Sequence, residues 1–392
     1  MSQPRHLLTV LHAAELSGPP IFALQFLRWL AAHDPTWRFS TLFLDSGGPM
    51  EGPFGDLGRV VVADGLAPHS AGRGRARRMR TARLHRTLRS QLAADGRIDL
   101  VHVHCAGSFK VVPALPPAPI LGHLHELSVG QDLHLGPLAR AHVASADRYV
   151  AVSEGVRQEF LDRFPVDSER VERQWGFVDP DRLAVAAEGA AAAAGSYPPG
   201  AFVVASSGVR HWRKAPELFV RIAQRTRQLA PEVPWHFVWI GGEDAGGMEG
   251  LLERAGLDDL VSFLPHQPDP LAMIAASDAF VLPAREDAFP LVCVEAAGAG
   301  VPIVTFENGG AAELVRAAGC GETAPYLDVD RFARRLIALA GDADRRRHLG
   351  EAGRRFAADH LLIDQAGPLL RDALERAVSG ARSGDRRPAA AR

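Results

Sequence analysis

The chain has 392 residues, 47% of them hydrophobic and 23% charged, with a formal net charge of −2. That length exceeds what one hydrophobic core usually organises and predicts two domains, while the near-neutral balance argues against nucleic acid as a main partner. Three cysteines without CxxC spacing give no disulfide or metal framework, and no apolar run is long enough to span a bilayer or to act as a signal peptide, so a cytoplasmic protein is expected.

Short runs rich in Val, Ile and Phe recur along the chain, separated by amphipathic stretches. The first, "HLLTVLH", is a strand, and "LHAAELSGPPIFALQFLRWL" after it places Gly18 at a strand-to-helix junction. "RFSTLFLD" and "RVVVAD" read as the next two strands. Residues 73–92, "RGRARRMRTARLHRTLRSQL", hold eight arginines and no acid. Either Leu84, Leu88 and Leu92 pack this helix on its domain, or the arginines of 73–89 offer peripheral contact with an anionic membrane or an anionic molecule such as a lipid phosphate. "DLVHVH", "PILGHLH" and "RYVAVS" complete the strands of the first half. The x-His-x-His spacing of His123 and His125 suits a strand-face metal pair or core histidines equally, and the metal reading lacks a third ligand nearby in sequence. His102 and His104 are given no role.

Residues 1–182 are assigned to an N-terminal Rossmann-like domain, and the Ala-, Gly- and Pro-rich 183–200 to a connector. A C-terminal domain follows over 201–360, then a helix over 361–380 packing back on the first domain, and a disordered tail over 381–392. The second domain carries the strands "AFVVASSG", "HFVWIG", "VSFLP", "AFVLPA" and "PIVTF". Strand–helix alternation, built twice, predicts an α/β fold of two doubly wound Rossmann-like domains facing across a cleft. Function should then sit in the loops after the strands.

Two of those loops carry charge. "ASSGVRHWRKAPELF" presents Arg210, Arg213 and Lys214 where a strand gives way to a helix, a position that favours anions; the plain alternative is a solvated charge cluster. "REDAFPLVCVEAAGAGVPIVTFENGG" sets Asp287 in a loop, Pro290 at a first helical position, and Glu295 about one and a half turns into an apolar helix. A buried carboxylate needs donors. Vicinal hydroxyls of a ribose would supply two, and so would a neighbouring backbone or arginine. The DxD pairs in "LDVDR" and "GDADRRR" directly precede helical patterns and read as N-caps, so no metal site is assigned.

The segment "REDAFPLVCVEAAGAGVPIVTFENGGAAELV" resembles the donor-binding segment of glycosyltransferase family 4, the retaining GT-B enzymes also called glycosyl transferases group 1. Asp287, Glu295, Gly309, Gly310 and Glu313 match its pattern of two acids with seven residues between them, then a strand and Gly-Gly-x-x-Glu. "ADRYVAVSEGV" and "WGFVDP" resemble its inter-domain region. The first acid is usually Glu, so Asp287 or the adjacent Glu286 takes the sugar contact. The family's Gly-Arg…Lys-Gly becomes Val209 and Arg210…Lys214-Ala215, leaving Arg210 or Arg213 to replace the missing arginine. Pro19 and Pro20 depart from its glycine loop.

The resemblance implies a hexosyltransferase moving a sugar, with retention, from a nucleotide sugar to a hydroxyl acceptor of unknown identity. A UDP- or GDP-sugar is the expected donor, with neither metal nor resident cofactor. It places His125, Asp287, Lys214 and Arg210 at the reacting end, and Gly18, Arg213, Glu286, Phe289, Pro290, Leu291 and Glu295 around the donor. A sugar-nucleotide epimerase of the same fold, or a degenerate nucleotide-sugar-binding protein, are the competing readings.

Overall fold

The computed structural model describes residues 4–63, 75–242, 247–267 and 269–382. Residues 73–74 of the arginine-rich stretch, 243–246 of the glycine-rich "GGEDAGG" and 383–392 of the tail lie outside the described residues. The chain divides into two compact units, Met1–Trp175 with Ala366–Arg392, and Gly176–Gln365.

The first unit is built on seven parallel strands: β1 (Arg5–Leu11), β2 (Trp37–Phe43), β3 (Gly58–Val62), β4 (Leu100–His104), β5 (Ile120–Leu124), β6 (Arg148–Ala151) and β7 (Val171–Arg173), in the order β3-β2-β1-β4-β5-β6-β7. The second holds six among the described residues: β8 (Phe202–Ser207), β9 (Trp235–Ile240), β10 (Val261–Leu264), β11 (Ala279–Leu282), β12 (Ile303–Phe306) and β13 (Gly321–Ala324), in the order β10-β9-β8-β11-β12-β13. Every pairing is parallel. Helices covering both faces leave the central strands as unbroken buried runs, such as "LVHVH" in β4 and "FVVASS" in β8. Strand order reverses between β1 and β4 in one sheet and between β8 and β11 in the other. Those are the points where doubly wound sheets bind ligands, beyond their carboxyl ends.

Two boundaries differ from the sequence expectation. The stretch expected to connect domains over 183–200 is largely helix, Pro180–Ala194, capped by Asp179 and lying within the second unit. Alanine is the strongest helix former, and Gly189 alone does not outweigh it. The passage from the first unit to the second instead falls at Trp175–Gly176. The chain returns to the first unit with the C-terminal helix Ile363–Arg382. There Arg376 pairs with Glu172 at 2.5 Å, Glu375 with Arg5 at 2.7 Å, and the Gln174 amide donates to the Ala366 carbonyl at 2.8 Å.

That helix lies so close to Trp29 that a Cβ on Gly367 would stand 2.6 Å from the indole. An indole cannot swing aside as a flexible side-chain tip can. Gly367→Ala is therefore expected to lower stability by about 1–3 kcal/mol, the usual cost of overpacking. Gly380→Ala on the same helix, where a Cβ meets nothing within 4 Å, should raise it by up to about 1 kcal/mol. Urea titrations of both variants check the pair.

Candidate functional site

In the second unit the loops after β8 and β11, the neighbouring strands at the order reversal, bring the predicted charges together. Lys214 Nζ lies 2.6 Å from Asp287 Oδ2, with both side chains largely buried. Lys214 is held there by backbone: its N–H donates to the His211 carbonyl, and Ala215 behind it takes a left-handed conformation, φ 55° and ψ 60°, before the helix Pro216–Leu229 starts. Glycine adopts that geometry freely, whereas alanine does so at a cost of about 1–2 kcal/mol. Arg210 donates through Nη2 to the Gly242 carbonyl at 3.0 Å and lies over the Phe263 ring, while Val209 is exposed. The Arg213 carbonyl accepts from the Arg285 N–H at 2.7 Å, which ties this loop to the start of the Asp287 loop. Glu286 is buried, and Asp287 is the carboxylate that pairs with Lys214.

The Gly-Gly pair packs directly on that acidic loop. Gly310 N–H donates to the Asp287 carbonyl at 3.0 Å, and Gly309 sits at φ 59°. A Cβ on Gly309 would strike the Asp287 carbonyl; one on Gly310 would strike the Ala288 carbonyl and lie 2.7 Å from Phe289 Cα. Asn308, immediately before them, donates to the Arg285 carbonyl at 2.7 Å. The Gly-Gly turn is thus a mould for residues 285–289.

Glu295 meets an arginine. It is 8% exposed in the helix Leu291–Ala299, where Cys293, Val294, Ala296 and Ala297 are also buried. Arg182, from the first turn of Pro180–Ala194, donates through Nη1 to Oε1 at 2.7 Å and reaches Asp269 through Nη2 at 3.1 Å. Burial pushes the Glu295 carboxyl above its usual range, and Arg182 offsets part of that rise. Of the partners considered for this acid, the structure shows the arginine, 113 residues away in sequence. Pro290 takes the N-cap position and Leu291 is the first helical residue, one place later than expected. Burial likewise holds the Cys293 thiol protonated, well above its ordinary value. Phe289 and Pro290 are buried beside it.

Gly18 and His125 belong to the first unit. Gly18 opens the helix Gly18–His33, and a Cβ there would meet nothing within 4 Å; Pro19 and Pro20 remove two N–H donors from the same first turn. His125 directly follows β5. The parallel register sets His104 opposite His123, and four rings stack along one face: His104 and His123 at 5.1 Å, His123 and His125 at 4.4 Å, between centroids. His102 Nε2 and His123 Nδ1 are 3.2 Å apart, and His104 Nδ1 and His125 Nε2 are 3.0 Å apart. Burial brings His102 and His125 down to about 3 and pushes His104 and His123 well below the ordinary value, so all four rings are neutral, although the edge of His125 reaches the surface. Glu126 accepts from the backbone N–H groups of Ala106 and His125, joining the ends of β4 and β5.

The first aspartate of each DxD pair is a helix cap, and the second, Asp330 or Asp344, pairs with arginine. Asp328 accepts from the Arg331 N–H at 2.9 Å and Asp342 from the Arg345 N–H at 2.8 Å. On the arginine-rich helix, Leu88 and Leu92 are buried and Arg83, Arg86 and Arg89 exposed, so the leucines pack inward. Among the described residues no helix is long and apolar enough to cross a membrane.

The site residues missed from sequence are Arg182 and Asp269. Nothing around "VDPDRL" or "HQPDP" distinguishes them from ordinary helix-start residues; only the fold brings them to Glu295.

Comparison with known proteins agrees with this architecture. Residues 193–356 match the family model for glycosyl transferases group 1, and residues 41–182 that for glycosyltransferase family 4. The D-inositol 3-phosphate glycosyltransferase of Salinispora tropica is 30% identical over 338 residues, covering 79% of this chain and 67% of the relative. The one from Nocardia farcinica is 27% identical over 360 residues, 86% of this chain and 77% of its own length. Among solved structures, a glycosyltransferase from Rickettsia africae superposes with a TM-score of 0.76 at 13% identity, covering 96% of this chain and 99% of that one. Anabaena HepE in complex with UDP and glucose gives 0.73 at 16% identity, covering 94% and 99%. The chain belongs to the group 1, family 4 glycosyltransferases and has their GT-B fold.

Proposed function

We propose that this glycosyltransferase takes its sugar from a nucleoside diphosphate sugar and passes it to a hydroxyl acceptor with retention, using lysine and arginine in place of a divalent metal at the diphosphate. The observation that carries this is the meeting of Lys214 and Asp287 at 2.6 Å beyond the carboxyl ends of β8 and β11. Rupture of the glycosidic bond places charge on the departing diphosphate. A cation already oriented at that position stabilises the transition state more than the ground state. Lys214 has that role, with Arg210 and Arg213 on the same loop. Asp287 orients the lysine and accepts from sugar hydroxyls, and His125, a neutral ring, hydrogen-bonds the transferred sugar without shuttling a proton.

Glu295 is assigned the ribose. Its pairing with Arg182 does not exhaust it, because a carboxylate has about four acceptor positions and Arg182 uses one oxygen. Arg182 stabilises the charge that the ribose hydroxyls then meet. A UDP-sugar is the first donor to assay, since HepE is a structural neighbour solved with UDP and glucose. A phosphorylated polyol is the first acceptor, since the curated relatives are named for inositol 3-phosphate.

Lys214→Ala should lower kcat by about 10²–10³, the range for removing one preorganised donor to developing charge. Turnover of the parent enzyme should persist in EDTA and give product of unchanged anomeric configuration by proton NMR. Activity lost to chelator and restored by magnesium or manganese would overturn the metal-independent part.

Glu295→Ala should weaken binding of the nucleotide by about 5- to 150-fold, equivalent to about 1–3 kcal/mol for a lost charged hydrogen bond. Arg182→Ala should cost about 1–3 kcal/mol of stability, less than for a fully buried pair because Arg182 is 29% exposed. Calorimetric titration with UDP and urea unfolding separate the two effects; an unchanged affinity in the first variant removes the ribose assignment.

A further inference from the structure

Three of the four histidines in the array of the first unit, His102, His104 and His123, have no part in the proposed sugar transfer. Sequence alone offered one x-His-x-His metal pair, His123 and His125, lacking a third ligand, and gave His102 and His104 no role. The register of β4 against β5 supplies the missing member by setting His104 opposite His123, with His102 two residues back on the same face. One nitrogen from each of His102, His104 and His123 lies within 4.8 Å of the others, and all three rings are fully buried.

Pairing among neutral imidazoles cannot satisfy this array. In each of the two hydrogen bonds one ring donates and the other accepts, and Nε2 of His104 and Nε2 of His123 are then left buried without a hydrogen-bond partner among the described residues. Such atoms are uncommon in folded proteins and call for an explanation. A species that accepts lone pairs from several imidazoles at once is a transition-metal cation, and three-histidine sites with an open fourth position are established chemistry for zinc.

We infer that His102, His104 and His123 form a binding site for one transition-metal ion of the zinc class within the first unit. The spacing needs little adjustment. His102 Nε2 and His123 Nδ1 stand 3.2 Å apart, close to the ~3.3 Å edge of a tetrahedron with metal–nitrogen bonds of 2.0–2.1 Å. His104 binds through its unpartnered Nε2, which leaves Nδ1–H to donate to His125 Nε2 at 3.0 Å. His123 offers either ring nitrogen. A ligating histidine that donates its second N–H to a neighbour fixes that neighbour's tautomer. The ion would thus lock His125, the ring assigned to the sugar, with its proton on Nδ1. Phe22 packs edge-on against His104, His123 and His125, with centroids 4.8–6.2 Å away, and shields the site.

The test is a cobalt titration of the full chain, carrying no affinity tag and stripped by chelator. The expected result is one equivalent of Co²⁺ bound with the intense visible bands of a four-coordinate ion, displaced by one equivalent of Zn²⁺, and a higher Tm with either metal. His102→Asn and His123→Gln should each weaken binding at least 10-fold, while His360→Gln, an exposed position, leaves it unchanged. A parent protein whose cobalt spectrum stays that of the hydrated ion overturns the site, and this decides the matter even where a variant fails to fold. Stoichiometric binding that survives both substitutions in folded protein overturns it equally.

Discussion

A carboxylate inside an apolar helix must be met by hydrogen-bond donors, and in the second unit that requirement organises the elements around the loops of Lys214 and Asp287. An ionised Glu295 among Cys293, Val294, Ala296 and Ala297 would cost several kcal/mol if left alone. Arg182 answers it from the first helix of the unit and is itself held from the other side by Asp269. The next residue, Leu183, fills the place where Gly298 lacks a side chain; a Cβ there would be 2.9 Å from it. One ion pair and one small residue thereby fix how Pro180–Ala194 crosses Leu291–Ala299, and hence where residues 285–290 emerge.

The loops themselves are held under strain. Ala215 after β8 and Cys105 after β4 are two of the three non-glycine residues with positive φ among the described residues, and each lies at the point where its sheet's strand order reverses. Such conformations cost of order 1–3 kcal/mol and persist only where the surroundings dictate them. At Ala215 the surroundings are the buried start of Pro216–Leu229 and the Lys214–Asp287 pair. At Cys105 they are the histidine array ending in His104 and the Glu126 carboxylate on the Ala106 N–H. In both units the backbone departs from its easy conformations beside a cluster of buried polar side chains.

The parts of this fold legible in sequence were those encoded by neighbours along the chain. Central strands such as "LVHVH" and "FVVASS" announce themselves as apolar runs because helices cover both faces. β7, three residues of "VER", and β13, "GETA", are edge strands with one pairing each and little apolar content, and their sequences carry no such mark. The helix at 180–194 was hidden by composition: an alanine run flanked by Gly and Pro resembles a connector until Asp179 is recognised as its cap. Lys214 and Asp287 could be named, because charge at a strand end is a local signal, but their pairing could not. Arg182 had no local signal at all. The third histidine was equally invisible, since it follows from the register between two strands and not from any spacing within one.

The two units share a topology yet present different charge near the start of the helix that follows their first strand. In the first unit the helix after β1 begins Gly18-Pro19-Pro20, so two of the backbone donors that make a helix N-terminus attractive to phosphate are missing. At the ends of β4 and β5 stand neutral imidazoles and the Glu126 carboxylate, and none of these is a cation. In the second unit the helix after β8 also starts with proline, at Pro216, but Lys214 stands immediately before it and Arg210 and Arg213 share its loop. A proline-started helix offers an anion fewer backbone donors than a glycine-rich loop does, and in the second unit Arg210, Arg213 and Lys214 add side-chain cations beside it. The same reasoning explains why Asp287 is paired with Lys214. An acid standing alone at this loop would repel any anion, and paired with Lys214 it becomes a means of aiming the cation.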